Sequence, residues 1–259
     1  MKAGDGVGAE LSWWTASIGV ALGLVALWQA AADRAWVSPI FLPGPDRAWA
    51  ALREGFAAGG DLPGHVATTI EHMLYGWVLA SAIGVVLGAL VGLSRHARAW
   101  LGPTLEYLRP LPASAIAPVA IAFLGLSQGM VLAVIAFGSL WPTLLATAHG
   151  VASVEPRLIE VAQALRLSRL QVALKIALPN AAPDILAALR YGLTVALILA
   201  VVGEMLAGQE GLGHRIVLAA RSFRTPDLFA GVMLLGLIGF LSNAMLAVAE
   251  RRLLRWRGR

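Results

Sequence analysis

The sequence contains no cysteine, and only two of its 259 residues are lysine, Lys2 and Lys175. Without cysteine there are no thiol nucleophiles, thiolate metal sites or disulfides. With so few lysines no Gly-Lys pair occurs, which excludes the glycine-rich loop that holds nucleotide phosphates through backbone N–H groups and a following lysine. Charged residues of both signs are scarce, at 14%. The five histidines (His65, His72, His96, His149 and His214) show no His-Glu-x-x-His spacing. No catalytic residue, metal ligand or cofactor site is therefore assigned to the chain.

The remainder is apolar: 58% of residues are hydrophobic. An aqueous globule of this length could not hide so much apolar surface, so the chain needs lipid on its outside. The net charge of +5 comes almost wholly from arginine, dispersed between apolar runs with no basic stripe. That dispersal argues against a nucleic-acid partner and for membrane topology.

Six spans are expected, at about residues 11–32, 68–94, 103–125, 129–149, 183–208 and 228–250, giving an all-α membrane protein. Residues 1–259 read as a single integral membrane domain. The first span has no charge and is long enough to cross a core that needs about 20 helical residues. A cleaved signal peptide is the competing reading there, favoured by Ala30-Ala31-Ala32, but Asp5 and Glu10 spoil a basic leader. After it, Pro43-Gly44-Pro45 precedes a short helix from Asp46 to about Ala57, suited to the membrane surface.

In the second span Gly76, Ala80, Gly84, Gly88 and Gly92 repeat every four residues, a ladder of small side chains that admits another helix closely in lipid. The neighbour could belong to this chain or to a second copy. From Pro110 to Ala148 there is no charge, and one helix of that length would extend about 58 Å, so two spans must fold back at Gly125–Gly129. Pro103, Pro110, Pro112 and Pro118 break the third span. Such a break is tolerated where neighbours or a water-filled cavity satisfy the freed carbonyls. Arg109, Pro110, Pro112 and Pro118 are therefore pore-lining candidates, against a merely kinked packing helix.

Residues 157–182 form the one long polar, basic interval between apolar spans. Leu158, Val161 and Leu165, then Leu170, Ala173, Leu174 and Ala177, recur at helical spacing, which predicts two short amphipathic helices. Ser168 is a plausible cap for the second, and Pro179 is expected to end it. A solvated linker would show the same pattern.

The spacing in this interval resembles the signature loop of binding-protein-dependent ABC importer permeases: Glu-Ala-Ala, three residues, Gly, nine residues, Ile, one residue, Leu-Pro. Glu160, Val161, Ala162, Arg166, Ile176, Leu178 and Pro179 occupy those places, and five of the seven match. Arg166 stands where the pattern has glycine, at a position where a left-handed backbone costs a side chain about 1 kcal/mol or more. Leu-Pro-Gly-Pro at residues 42–45 and Glu-Gly-Leu-Gly at 210–213 resemble segments of the nitrate, sulfonate and taurine permeases.

The resemblance implies a type I ABC importer transmembrane-domain fold. It implies a pore made with a second permease subunit, as a homodimer, and driven by two cytoplasmic P-loop ATPase subunits that hold the ATP and Mg. An external solute-binding protein would feed that pore a small anionic solute. On the same resemblance, Glu160, Val161, Ala162, Ala164, Leu165, Arg166, Ser168, Ile176, Leu178 and Pro179 are the ATPase-coupling residues, with Glu160 expected to cap or pair at the first short helix.

With the amino terminus inside, the inner segments hold twelve basic residues (Lys2, Arg95, Arg98, Arg157, Arg166, Arg169, Lys175, Arg251, Arg252, Arg255, Arg257 and Arg259). The outer segments hold six (Arg34, Arg47, Arg53, Arg215, Arg221 and Arg224). This bias predicts a multi-pass protein of the bacterial inner membrane with both termini cytoplasmic. Arg190, inside the fifth span, would face an anion in the pore or else neutralise a carboxylate, and Glu204 near its outer end is a further pore candidate, open to pairing with outer-loop arginines. Glu71 and His72 are read as interfacial. An ion-coupled secondary carrier is the alternative function, but no internal repeat or chain of carboxylates supports it.

Overall fold

The computed structural model describes residues 5–254, and side chains from Thr15 onward. Lys2, Arg255, Arg257 and Arg259 lie outside the described residues. Among the described residues the chain forms eleven α-helices and no strand. They are α1 (Asp5–Asp33), α2 (Pro45–Phe56), α3 (Leu62–Leu93), α4 (Arg95–Leu108), α5 (Ala113–Leu124), α6 (Gln128–Ala152), α7 (Pro156–Ala164), α8 (Arg169–Val172), α9 (Leu178–Ala207), α10 (Leu212–Arg221) and α11 (Thr225–Leu253). Five helical stretches are long and apolar enough to cross a membrane, and six if α4 and α5 count as one broken span.

That broken span is the largest departure from a simple run of helices. α4 and α5 meet at 97°, across Arg109–Pro112, where two prolines remove backbone donors. The turn expected at 125–129 is present: Gly125 takes φ 68°, and the Ser127 hydroxyl accepts from Met130 N–H as the cap of α6.

The residues divide into two compact units. The first runs to Pro63 and includes Ile216–Met233. Here Trp28 donates from Nε1 to Pro43 O at 2.9 Å, and its ring lies 5.4 Å from that of Phe229. Pro45 and Asp46 open α2, where a missing N–H and an acidic side chain both suit a helix start. Between Thr15 and Leu27, α1 is exposed throughout.

The second unit comprises Gly64–Arg215 and the chain from Leu234 onward, with α6 at its centre. The glycine ladder of α3 lies against α6 of the same chain. A Cβ on Gly76 would meet Ile135, one on Gly84 would meet Leu140 O and Thr143, one on Gly88 would meet Leu144 O and Thr147, and one on Gly92 would meet Ala148 O and Val151. Ala80, on the same ladder, is fully buried. On another face of α6, Gly138 meets Leu199, Gly150 meets Ala181, and Gly203 of α9 meets Val131. Small residues let these backbones approach in the absence of any hydrophobic drive within lipid. Two buried hydroxyls on α6 are satisfied within the helix, Ser139 donating to Ile135 O and Thr147 to Thr143 O, whereas the buried Thr143 hydroxyl has no partner.

Candidate functional site

The polar interval folds as an elbow between α6 and α9. Pro156 opens α7, and the helix closes at Leu165 with Arg166 in the left-handed region, φ 50°. Arg166 N–H donates to Gln163 O and Leu167 N–H to Ala162 O, the paired bonds of a left-handed helix cap. The turn is thus built with the geometry that a glycine would favour, and an arginine carries it. Ser168 caps α8: its hydroxyl accepts from Gln171 N–H at 3.3 Å, while Gln171 Oε1 accepts from Ser168 N–H at 2.8 Å.

Pro179 does not end the second short helix. α8 runs through a π-helical turn, Ala173–Ala177, into α9 without leaving helical backbone, and Pro179 sits in the first turn of α9. The wider turn closes Leu178 N–H on Ala173 O, so the helix accommodates a residue that offers no donor.

The elbow divides by exposure. Ala162, Ala173 and Ala177 are buried, and Ile176 and Leu178 are half-buried. Glu160, Val161, Ala164, Leu165, Arg166, Ser168 and Pro179 are exposed, as are Leu158, Leu170 and Leu174, with Leu165 at 67% and Leu170 at 68%. Glu160 lies in the body of α7 and makes no ion pair among the described residues, so the expected cap is not formed. Glu155 occupies the N-cap position, and its carboxylate is 4.0 Å from Arg157. The root of the elbow is fastened to α6. Asn180 donates to Gly150 O at 3.0 Å, and Leu178 packs on the cluster of Val151, Ala177 and Ala181. Behind it a cavity of about 560 Å3 lies between Leu93–His96 and the inner faces of α7 and α8.

At the other end of α9 the chain closes on itself. Glu204 is fully buried and therefore lines no pore in this structure. Its Oε2 accepts from the Thr69 hydroxyl at 3.0 Å and from Gly213 N–H at 2.9 Å, and its Oε1 lies 3.0 Å from His72 Nδ1. Leu212 N–H in turn donates to Thr69 Oγ1 at 2.8 Å, and Gly211 N–H to His65 Nδ1 at 3.3 Å. A buried carboxylate costs several kcal/mol unless it is satisfied in this way. The glycines of Glu-Gly-Leu-Gly are required by proximity: a Cβ at Gly211 would fall on the Glu204 carboxylate, and one at Gly213 on Val201 O. Gly211 also takes φ 148°. Outer-loop arginines are not the partners of Glu204, and His72 is buried, where an interfacial position was expected. Glu71 is exposed. The signal available in the sequence was Thr69 and His72, one turn apart on one helix face, together with a lone in-span glutamate.

The remaining candidates are scattered. Arg190 lies 3.5 Å from Glu250 of α11, so its charge is met by a carboxylate within the chain. Pro110 and Pro112 are exposed at the α4–α5 break, and Pro118 is exposed inside α5. Arg109 borders a cavity between α4 and α6. Gly125-Leu126-Ser127-Gln128-Gly129 spells the glycine-x-serine-x-glycine pattern of a nucleophile elbow. The Ser127 hydroxyl, however, is engaged as the α6 cap and donates to Leu124 O, between two helices.

The sequence profile of the binding-protein-dependent transport system inner membrane components matches residues 81–255. The chain belongs to that family. It is 31% identical over 234 residues to the putative aliphatic sulfonates transport permease SsuC of Bacillus subtilis, covering 90% of this chain and 84% of that one. It is 32% identical over 249 residues to the taurine transport system permease TauC of Escherichia coli, covering 94% and 90%. To the nitrate import permease NrtB of Leptolyngbya laminosa it is 32% identical, covering 72% and 67%.

The MetNI methionine ABC transporter superposes with a TM-score of 0.63 at 18% identity, over 75% of this permease and 95% of that chain. An amino acid ABC transporter superposes at 0.58 and 17%, over 73% and 92%. The permease is thus an all-α, multi-pass membrane protein with the type I ABC importer transmembrane-domain fold. The matched region contains the elbow, the α4–α5 break and Glu204, whereas Thr69 and His72 precede it.

Proposed function

We propose that this permease forms, with a second copy of itself, the translocation pathway of an ATP-driven importer for a small anionic solute of the sulfonate, taurine or nitrate kind. The relatives named for aliphatic sulfonates, taurine and nitrate support that substrate class. Two cytoplasmic P-loop ATPase subunits hold the ATP and Mg, and an external solute-binding protein delivers the solute. The whole chain acts as one membrane domain with both termini cytoplasmic, and Arg109 and the prolines after it border the path.

The exposed apolar face of the elbow is the observation that carries this reading. Leu158, Val161, Leu165, Leu170 and Leu174 stand outward on a segment fastened to α6 and continuous with α9. Such a face calls for a protein partner. A motor docked there pushes on a helix that runs through the bundle, which is how a local contact becomes a change of opening.

Co-purification of the chain with a P-loop ATPase, followed by solute-stimulated ATP hydrolysis in reconstituted vesicles, tests the reading. Uptake driven by an ion gradient without hydrolysis would overturn it. Glu160→Lys should abolish uptake while hydrolysis continues, and unchanged uptake in that variant would remove the elbow from the coupling mechanism.

A further inference from the structure

On the function proposed above, we infer that the ATPase docks against the basic side of the elbow, and that acidic side chains of the ATPase enter the cavity between the α3–α4 junction and α8. Charge on the elbow is unevenly spread. Both of its carboxylates belong to α7: Glu155 is the N-cap, 4.0 Å from Arg157, and Glu160 lies in the body of the helix. Between Glu160 and Asp184 the chain carries Arg166, Arg169 and Lys175, all exposed, and no acidic residue. Across the cavity of about 560 Å3, Arg95 and His96 stand in the first turn of α4. The helix dipole disfavours cations there, and no acidic residue in that turn offsets them. Membrane topology accounts for basic residues on this side of the chain. It does not account for their gathering around one cavity that neither elbow carboxylate lines.

The cavity has an apolar floor and a rim of donors. Ile159, Leu167 and Val172 line it half-buried, while Arg95, Gln163 and Arg169 stand exposed at its edge. Neither Arg95 nor Arg169 makes a side-chain hydrogen bond or ion pair among the described residues. Arg98 differs, since its Nε and Nη2 donate to Val91 O and Gly92 O. Two uncommitted guanidinium groups over an apolar floor fit a carboxylate on a short hydrocarbon stem, the form of an aspartate or glutamate side chain. Leu165 and Leu170, which bracket Arg166 and Arg169 in the chain, are exposed on the same elbow. An apolar patch with a charged rim is the anatomy of a protein interface, whereas lipid headgroups would call for the cations alone.

Association of the full-length permease with the P-loop ATPase that co-purifies with it would be measured in a neutral detergent, at about 50 and about 300 mM salt. The higher salt should weaken it about tenfold or more. Arg95→Gln combined with Arg169→Gln should weaken it about tenfold or more at low salt and flatten the salt dependence. Arg157→Gln, which removes a charge already met by Glu155, should weaken it by no more than about twofold. The sequence has only Lys2 and Lys175 as lysines, so a carbodiimide, which joins an amine to a carboxylate, reads few positions. The amine introduced by Arg169→Lys should be joined to an aspartate or glutamate of the ATPase, located by mass spectrometry.

Salt-independent association, or unaltered ATPase affinity in the paired glutamine variant, would overturn the inference and leave the ATPase reading in place. An affinity loss seen only in vesicles containing phosphatidylglycerol would overturn it too, because the arginines would then serve lipid headgroups. Failure of the unmodified chain to capture any ATPase would remove both. Should the paired variant lose its thermal transition, the Arg169→Lys cross-link decides, and its absence from every ATPase carboxylate overturns the inference.

Discussion

At its carboxyl end α9 presents Glu204 to donors from α3 and from the Glu-Gly-Leu-Gly turn, and both carboxylate oxygens are engaged within the chain. At its amino end the same helix runs through a π turn into an elbow whose leucines face outward. The two ends are separated by 26 residues, about 39 Å of helix. One end is closed by interactions internal to the chain, and the other leaves an apolar face exposed. On the function proposed above, a helix held at one end and offered at the other would serve as a lever that turns a push on a short polar segment into movement of a pathway.

Removal of the sealed end should have the largest effect. Glu204→Ala leaves the Thr69 hydroxyl, Gly213 N–H and His72 facing a void, and should destabilise the chain by about 3–5 kcal/mol, read as a lower midpoint of thermal unfolding in detergent. Gly211→Ala should approach that loss, because its Cβ would displace the carboxylate and its φ of 148° suits glycine alone. If Glu204→Ala melted with the unmodified protein, the contrast between a closed and an open end would be lost.

Much of this arrangement was legible in the sequence, and the parts that were not share a cause. The spans, the 125–129 turn, the Ser168 cap and the two-helix elbow follow from periodicity and capping chemistry, all local properties. Pro179 does not act as the helix stop that its residue type suggests, because the π turn just before it lets the helix continue. Glu204 lies 135 residues from Thr69 and 132 from His72 along the chain, and no local pattern encodes such a contact. The same holds for Arg190, whose partner Glu250 is sixty residues away. The glycine ladder announced close packing without naming the facing helix, since small residues carry no complementary chemistry.

That ladder offers the next test, because it joins α3 to the helix on which the elbow is rooted. Gly88→Val would drive a branched side chain into Leu144 O and Thr147, and backbone cannot yield as a flexible side chain does. Overpacking of this kind should cost about 1–3 kcal/mol. Gly64→Ala meets nothing within 4 Å and should lie within about 0.5 kcal/mol of the unmodified chain. Equal melting of the two variants would mean that α3 does not brace α6.

At the open end stability should scarcely change while association does. Leu165→Asp and Leu170→Asp alter side chains that touch little within the chain, so unfolding should shift by no more than about 0.5 kcal/mol. Capture of the partner ATPase should fall about tenfold or more, as at the centre of a protein interface. A melting loss comparable with that of Glu204→Ala would mean that these leucines are core residues and that the elbow is not offered outward at all.

The smallest effect belongs to Arg166, which holds a left-handed conformation where glycine would rest without strain. Arg166→Gly removes a conformational cost of about 1 kcal/mol but gives back part of it through the greater freedom of glycine in the unfolded chain. The net gain should be a few tenths of a kcal/mol, confined to the α7–α8 turn. Hydrogen exchange at Arg166 and Leu167 N–H, whose bonds close that turn on Gln163 O and Ala162 O, is the sensitive readout, and slower exchange is expected. Faster exchange would mean that the arginine side chain stabilises the elbow in its own right. The residue at this position would then contribute through its guanidinium, and not only tolerate the turn that the backbone demands.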